Sequence, residues 1–225
     1  IEGDYYIESG KTGSRSQDPD KYIKDAKLLV KAYDAAVVSN DYSLVCRYAF
    51  YAAQSFKDAG NEYNSVAIEW YERVLNLHNW AQEKYYACIM IGKLHSDNFT
   101  KFKYYLMSWE HDKERIEGVV LACELAMNNG LHSTVCSLSH QYKNYSIPQT
   151  EKLFMFSNLY NDHLKYYYSI SAFYADKTEV GYNACKEIIE NNIIEDELLD
   201  RVYKNLLFYK NHLYEEGSLD LFHKL

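Results

Sequence analysis

The chain has 225 residues, of which 48% are hydrophobic, and it carries a formal net charge of -8 at neutral pH. This acidic balance, with no run of basic residues, excludes general nucleic-acid binding, because phosphate contacts require lysine and arginine. No apolar run approaches the ~20 residues of a membrane-spanning helix, so we expect no membrane partner. The length suits one large domain or a run of stacked repeats.

The low proline content predicts a mostly helical protein. Only two prolines occur, Pro19 and Pro148, and proline disrupts helices more strongly than any other residue. The 24 tyrosines suit paired helices, because a tyrosine ring packs in a core while its hydroxyl stays near water.

Residues 1–17 are polar and contain Gly3, Gly10 and Gly13, which predicts a connector. A helix is then predicted from Asp18 to about Val38, because Asp18 is a favourable N-cap and proline suits the first turn. Asp18-Pro19-Asp20 also matches the D-x-D pattern with which many glycosyltransferases hold a metal. No strand precedes it and a helix follows, so we interpret these aspartates as a cap.

The segment 47–77 has the pattern of two helices packed as a hairpin. Small residues recur where the helices must touch, and aromatic residues recur where the space between them must be filled. Gly60 lies at the turn, which it can form because it lacks a side chain. The small residues are Ala49, Ala52, Ala53, Ala59 and Ala67, and the aromatic residues are Tyr48, Tyr51, Phe56, Trp70 and Tyr71.

Similar apolar periodicity continues downstream. It predicts helices at about 81–96, 99–112, 115–128, 131–143, 150–160, 162–175, 177–191 and 195–215. The segment from Tyr145 to Pro148 is the clearest interior break, so we consider a sub-boundary near 145–150.

This succession predicts an all-α fold: a tetratricopeptide-like helical-repeat array, in which antiparallel helix hairpins stack into a right-handed solenoid. The repeat domain would span 18–225, after the connector at 1–17. Helical arrays usually present surfaces for binding or assembly. We therefore expect a non-catalytic module that binds a protein or peptide, and self-association into a homo-oligomer stays open.

The cysteines predict an intracellular, cytoplasmic protein. There are five of them, an odd number, and none forms a CxxC pair, so we interpret them as reduced thiols. No constellation of histidine, cysteine or acidic residues has metal-ligand spacing. We therefore expect no catalytic residue, metal or cofactor in this chain.

The connector contains one candidate binding site. Arg15 and Ser16 follow Gly13, and backbone amides beside an arginine can hold a phosphate or a carboxylate. A flexible linker is the alternative interpretation.

The first hairpin contains a second candidate site. Arg47, Tyr51, Gln54 and Asp58 are spaced by four, three and four residues, so they share one helix face, with Tyr48 beside them. That face lines a groove for a partner or, alternatively, forms a buried hydrogen-bond network that locks the hairpin. We predict that Trp80 and Tyr85 join Tyr51 and Gln54 on the surface of a groove or on an inter-repeat contact.

Several stretches resemble the region that follows the catalytic domain in family-2 (GT-A type) glycosyltransferases with tetratricopeptide-like tails, which occur in bacteria and giant viruses. The resemblance covers most of the chain and is most specific in its first hundred residues. It is carried by DYYIESGKTGSRSQDP at 4–19, RYAFYAAQSFKDAG at 47–60, AIEWY at 67–71, WAQEKYY at 80–86, YSISAFY at 168–174 and NLLFY at 205–209.

The resemblance implies that this chain is the C-terminal helical tail of a glycosyltransferase. The α/β domain that uses a nucleotide sugar and a divalent metal would lie upstream, where Arg15 and Ser16 would be nearest to it. The alternative is that the chain is part of an active nucleotide-sugar-dependent glycosyltransferase and positions the acceptor.

Overall fold

The computed structural model describes residues 18–160, 163–191 and 196–215. Over these ranges it contains ten α-helices and no strand, which confirms the all-α prediction. The chain divides into two compact units, Ile1–His95 (unit 1) and Ser96–Leu225 (unit 2), and the irregular segment at 145–150 lies within unit 2. None of the described helices is both long enough and apolar enough to cross a bilayer.

The described part of unit 1 has four α-helices, each of which packs against the next along the chain. A 3₁₀ turn at Asn61–Tyr63 joins the second helix to the third. The helices are α1 (Lys21–Val38), α2 (Tyr42–Ala59), α3 (Asn64–Asn76) and α4 (Ala81–Leu94).

The hairpin predicted over 47–77 is formed by α2 and α3. Its small residues let the helices approach closely, since Ala49, Ala52, Ala53 and Ala67 have no exposed surface, whereas Ala59 is half-buried. Of its aromatic residues, Phe56, Trp70 and Tyr71 are buried. The edge of the Tyr33 ring of α1 meets Trp70 with a centroid separation of 5.0 Å. The alanine-aromatic pattern therefore encodes the core of unit 1.

Aspartates precede the first two helices of unit 1. Asp18 Oδ1 accepts a hydrogen bond of 3.0 Å from the Asp20 amide, in a turn before the helix. The N-cap of α1 is Asp20, whose side chain makes no capping hydrogen bond, so the prediction that Asp18 is the N-cap is wrong. The Asp41 carboxylate accepts from the Leu44 amide at the start of α2. Gly60 has a φ of 129°, a conformation that residues with a side chain rarely adopt, so this turn favours glycine.

Unit 2 contains the other six described α-helices. Neighbouring helices pack in sequence as in unit 1, and α6 also contacts α8, which in turn contacts α10. The helices are α5 (Asn98–His111), α6 (Glu117–Asn128), α7 (His132–Tyr142), α8 (His163–Tyr174), α9 (Thr178–Asn191) and α10 (Asp196–Glu215).

Hydrophobic clusters hold the described helices of unit 2 together. One lies among α6, α7 and α8, where Val120, Val135 and Leu164 are buried and Phe102 of α5 packs against them. Another joins α9 to α10 through Cys185, Ile188, Val202 and Tyr209. A further cluster lies among α7, α8 and α9 and contains Cys136, Tyr168, Ala172 and Ala184. The five cysteines all lie in the described ranges and none forms a disulfide.

The helix predicted at 150–160 is absent, so that prediction is wrong. Only a 3₁₀ turn at Ser157–Tyr160 forms there. The carbonyl of Leu153 and the amide of Phe156 bind side chains of Arg115 and Glu117 instead of pairing within a helix. Long-range polar contacts have overridden the local apolar period in this segment.

Gly181 of α9 is required by a close helix contact. A Cβ built at this position would overlap the hydroxyl end of the Tyr209 side chain. That hydroxyl donates a hydrogen bond of 2.6 Å to the carbonyl of Ser169, so Tyr209 ties α10 to α8 while it lies against α9.

We expect Gly181→Ala to lower the free energy of unfolding by about 1–3 kcal/mol, because overpacking outweighs the gain in helix propensity. Urea denaturation measures the change. Asn183→Ala, at an exposed position of the same helix, should change stability by about 0.5 kcal/mol or less. In a Tyr209→Leu background the Gly181→Ala penalty should disappear, and its persistence there would contradict the overlap as its cause.

Candidate functional site

The polar face predicted on α2 is partly open to solvent. Tyr51 is 42% exposed, and the guanidinium of Arg47 lies 5.7 Å from the centre of its ring. Gln54 and Tyr48 are half-buried. Asp58 is exposed and its carboxylate pairs with Lys57. This face is thus an accessible surface that carries a cation, an aromatic ring and an amide.

The turn before α4 lies beside this face. Asn79 donates a hydrogen bond of 2.9 Å to the carbonyl of Cys46, the residue that precedes Arg47. Trp80, which follows Asn79, is 58% exposed. Tyr85, in contrast, has no exposed surface, so its ring belongs to the core and the prediction that it lines a surface groove is corrected. Arg15 and Ser16 lie outside the described residues.

Unit 2 contains a concave site that the sequence did not predict. A cavity of about 560 Å³ opens beside the irregular segment that follows α7. Its walls are Lys113 and Glu114, from the turn before α6, and residues 144–150. This volume lies within the range of ordinary ligand pockets.

A smaller cavity of about 330 Å³ adjoins the larger one. The two share residues 144–147, which line both cavities and which we call the ridge segment. The other walls of the smaller cavity are Lys143, Ser157, Tyr160 and Lys165. The two cavities together offer more room than a single side chain requires.

The segment beside the cavities is anchored by a buried ion pair in the turn before α6. Arg115 Nη2 lies 2.6 Å from Glu117 Oε1, and Arg115 Nε lies 3.1 Å from the same oxygen. Neither side chain has exposed surface. Glu117 is also the first residue of α6, where a carboxylate interacts favourably with the positive end of the helix dipole.

This pair holds the chain that returns from the ridge segment. Arg115 Nη1 donates to the carbonyl of Leu153 over 2.9 Å. Glu117 Oε2 accepts from the Tyr160 hydroxyl over 2.7 Å, and its other oxygen accepts from the Phe156 amide over 3.4 Å. The buried charges therefore have hydrogen-bond partners, as their burial requires.

Lys152 forms a second, outer anchor. Its ammonium lies 3.0 Å from an Asp112 oxygen and 2.6 Å from a Glu114 oxygen, and the lysine side chain is largely buried. Burial would lower the pKa of Lys152, but the two carboxylates outweigh it and raise that pKa above its ordinary value. Lys152 thus stays charged and joins the segment to the turn before α6.

The pKa of Glu117 shows that its partners stabilise the charged carboxylate. Burial would raise it, but the hydrogen bonds and charge of Arg115, together with the Tyr160 hydroxyl, hold it below the ordinary value of 4.5. Burial and the neighbouring Glu117 charge raise the pKa of Tyr160. The carboxylate is thus ionised and the phenol is protonated at neutral pH.

Three buried thiols are poorly suited to nucleophilic chemistry. Burial raises the pKa of Cys88 and of Cys123 to about 12, and that of Cys185 to about 11. These thiols are protonated at neutral pH, and the thiolate is the nucleophilic form. Among the described residues, no group of three or more histidine, cysteine, aspartate or glutamate side chains is placed to hold a metal ion.

The sequence carries one signal for this site. Arg115 and Glu117 have opposite charges and lie two residues apart at the start of the apolar run of α6, where charged residues are buried only when they pair. The break at Tyr145 to Pro148 predicts a boundary but not a cavity.

Comparison with known proteins adds no relative. No protein-family model matches the chain, no curated protein is significantly similar to it, and no solved structure significantly matches its fold.

We expect Glu117→Gln to lower the free energy of unfolding at neutral pH by about 3–5 kcal/mol, because it leaves Arg115 buried without a counter-charge. The free energy of unfolding from urea titrations measures the loss. Glu124→Gln, at an exposed position of α6, is the matched control and should have little effect. A loss no larger than that of the control would contradict the anchoring role.

The same variant should have a distinctive pH dependence. The folded-state pKa of Glu117 is lowered, so its stabilisation is complete above its ordinary pKa of 4.5 and is lost as the pH falls through the folded value. The difference in stability between the wild type and Glu117→Gln should therefore shrink in acid. A difference that stays constant from neutral pH down to about pH 3 would contradict this linkage.

Proposed function

We propose that this chain is a non-catalytic helical-repeat module whose unit 2 binds an extended segment of a protein partner. The observation that carries the proposal is the pair of adjoining cavities that share the ridge segment. A ligand that occupies both must cross the ridge, which favours a chain-like ligand over a compact molecule.

The anchors beneath the site support the proposal. Arg115 and Glu117 fix the chain at Leu153, Phe156 and Tyr160, and Tyr160 lines the smaller cavity, so this part of its wall is held in place before a ligand arrives. A preorganised wall lowers the entropic cost of binding. The buried ion pair thus stabilises an irregular segment that a simple helical repeat would not need.

The packing of unit 2 supports a repeat arrangement. Each helix contacts its neighbour in sequence, and α6, α8 and α10 also contact one another in turn. This is the neighbour pattern expected of stacked hairpins, in which each repeat touches only adjacent repeats. We propose on this basis that the array is a tetratricopeptide-like solenoid.

The binding site can be tested with peptides selected from a displayed library of random seven-residue sequences. Ser146→Trp fills both cavities from the ridge, and we expect it to weaken binding of the selected peptides at least about tenfold. Fluorescence anisotropy measures the affinity. Ser133→Trp, at an exposed serine early in α7, adds the same ring elsewhere and should leave affinity unchanged.

Two results would oppose the proposed site. Equal affinity of the selected peptides for the wild type and for Ser146→Trp would exclude the cavities as the binding site. Loss of binding only in the double variant Tyr51→Ala/Gln54→Ala, with helicity intact by circular dichroism, would place the binding surface on α2.

We also propose, from the sequence resemblance, that the module is the C-terminal tail of a glycosyltransferase. Some of the residues that carry the resemblance are core residues, such as Ala49 and Ala53 of α2 and Ser171 and Ala172 of α8. Shared packing residues are consistent with a shared helical tail.

This assignment predicts where sugar transfer takes place. This chain alone should release no nucleotide from a panel of nucleotide sugars with a divalent metal, whereas a longer protein that joins it to an upstream α/β domain should do so. Chromatographic detection of the free nucleotide measures both. Turnover by this chain alone, retained after repurification, would contradict a non-catalytic role.

A further inference from the structure

The ridge segment presents backbone groups that have no partner in the described part of the chain. The Ser146 amide, the Ser146 carbonyl and the Ile147 amide form no hydrogen bond there. The Tyr145 amide, in contrast, donates over 3.0 Å to the carbonyl of Tyr142 at the end of α7. Exposed backbone groups that are left unpaired in a row form an edge to which another extended chain can add.

The backbone of this segment suits strand pairing. Residues 145–148 lie in neither a helix nor a turn, and none of them has a positive φ. Ile147 precedes Pro148, and a residue before proline favours an extended conformation. Proline has no N–H group, so Pro148 ends the row of donors. The part of the chain that can pair is therefore short.

Ser146 is the residue in this row with both backbone groups open to a partner. In an extended chain the N–H and C=O groups of one residue point to the same edge, and those of the next residue point to the other edge. Tyr145 and Ile147 share one edge, where the Tyr145 amide is already bound to α7. The edge of Ser146 has no such competitor in the described part of the chain.

Both ends of the segment are held in place. The bond from Tyr145 to Tyr142 fixes its start to α7. Beyond Pro148, the Thr150 hydroxyl lies 3.4 Å from a Glu114 oxygen, and the Lys152 ammonium pairs with the same carboxylate. An edge that is already ordered loses little conformational entropy when a second chain pairs with it.

The side chains of the segment alternate in polarity. Tyr145 and Ile147 are 39% and 40% exposed, although both are large hydrophobic residues. Asn144 and Ser146 are polar and exposed. Alternate side chains of an extended chain lie on the same face, so one face of the segment carries two partly exposed apolar side chains.

We infer that unit 2 binds its partner by strand addition, in which an extended peptide pairs antiparallel with the ridge segment. One partner residue exchanges two main-chain hydrogen bonds with Ser146. Its two neighbours then lie opposite Tyr145 and Ile147, where the side chains of an antiparallel pair are closest. β-Branched residues pack well against aromatic and β-branched side chains at such positions.

This inference rests on the proposed function and specifies the partner: an extended segment in which β-branched and polar residues alternate. The two cavities provide room for its side chains. Beyond the residues that they share, the larger cavity is lined by the turn before α6 and the smaller one by Ser157 and Tyr160. Successive side chains of a strand point to opposite sides, so each cavity receives one set.

The test uses an acetylated and amidated nonapeptide with a central valine–threonine–valine sequence between serines. Isothermal titration measures its affinity for the whole chain. N-methylation of the threonine removes the N–H that donates to the Ser146 carbonyl, so we expect binding to weaken about tenfold. N-methylation of either valine is the matched control. These N–H groups point away from the ridge segment, so affinity should change less than about twofold.

Amide hydrogen exchange, followed by NMR, gives a readout on the chain itself. When the peptide saturates the chain, exchange of the Ser146 amide should slow at least about tenfold, because this amide becomes a donor to the peptide. The Ile147 amide points to the other edge and should keep its rate. Protection of neither amide at saturation would overturn strand addition.

A double variant tests the apolar face. Tyr145→Ser/Ile147→Ser should abolish the preference for the valine peptide over an analogue in which serine replaces both valines. Leu207→Ser, at an exposed position of α10, removes an apolar side chain elsewhere and should preserve that preference. An unchanged preference in the double variant would overturn the contact with Tyr145 and Ile147.

The outcomes separate this inference from the proposed function. Suppose that peptides from the displayed library bind and are blocked by Ser146→Trp. Equal effects of N-methylation at threonine and at valine would then overturn strand addition and leave the peptide site intact. Binding of library peptides without binding of the valine peptide would overturn the assignment of the partner. If the library also yields no ligand that is sensitive to Ser146→Trp, the proposed function fails as well.

Discussion

The buried ion pair between Arg115 and Glu117 is the interaction on which the site in unit 2 depends. Two charges without exposed surface are stable only when each has partners, and here these come from a segment far along the chain. Because both buried charges need these partners, the chain around Leu153 and Tyr160 must lie against the turn before α6. The position of Tyr160 in the wall of the smaller cavity follows from this requirement.

Two anchors of different character support the same segment. The inner anchor is fully buried and satisfied by hydrogen bonds, so it depends little on salt. The outer anchor, Lys152 with Asp112 and Glu114, is partly open, because Glu114 is largely exposed. Together they hold an irregular segment that has little helical hydrogen bonding of its own, and they leave the polar side chains of the ridge segment to face solvent.

Some polar groups of unit 2 are paired within the protein and others are open to a ligand, and this division suits the proposed binding role. Groups that set the fold, such as the Tyr209 hydroxyl on Ser169, are paired inside the protein. Groups on the ridge segment, such as Asn144 and Ser146, have no partner in the described part of the chain and line the cavities. A module that binds through an irregular segment held on a helical scaffold needs both kinds, because a rigid frame lowers the cost of ordering the site.

The sequence by itself determined the helices and the core of the first hairpin, because apolar periodicity and alanine spacing act within a few residues of each other. Ala49, Ala53 and Trp70 are buried as this pattern requires, whereas Tyr85 shows that periodicity alone does not say which aromatic residues stay at the surface. The tertiary structure alone decided the site. Arg115 finds its carbonyl partner 38 residues away and Glu117 its phenol 43 residues away. The local pattern at 150–160 predicted a helix. Buried charges, however, need hydrogen-bond partners that can come from any part of the chain, so no periodicity in the sequence reveals which residues will provide them.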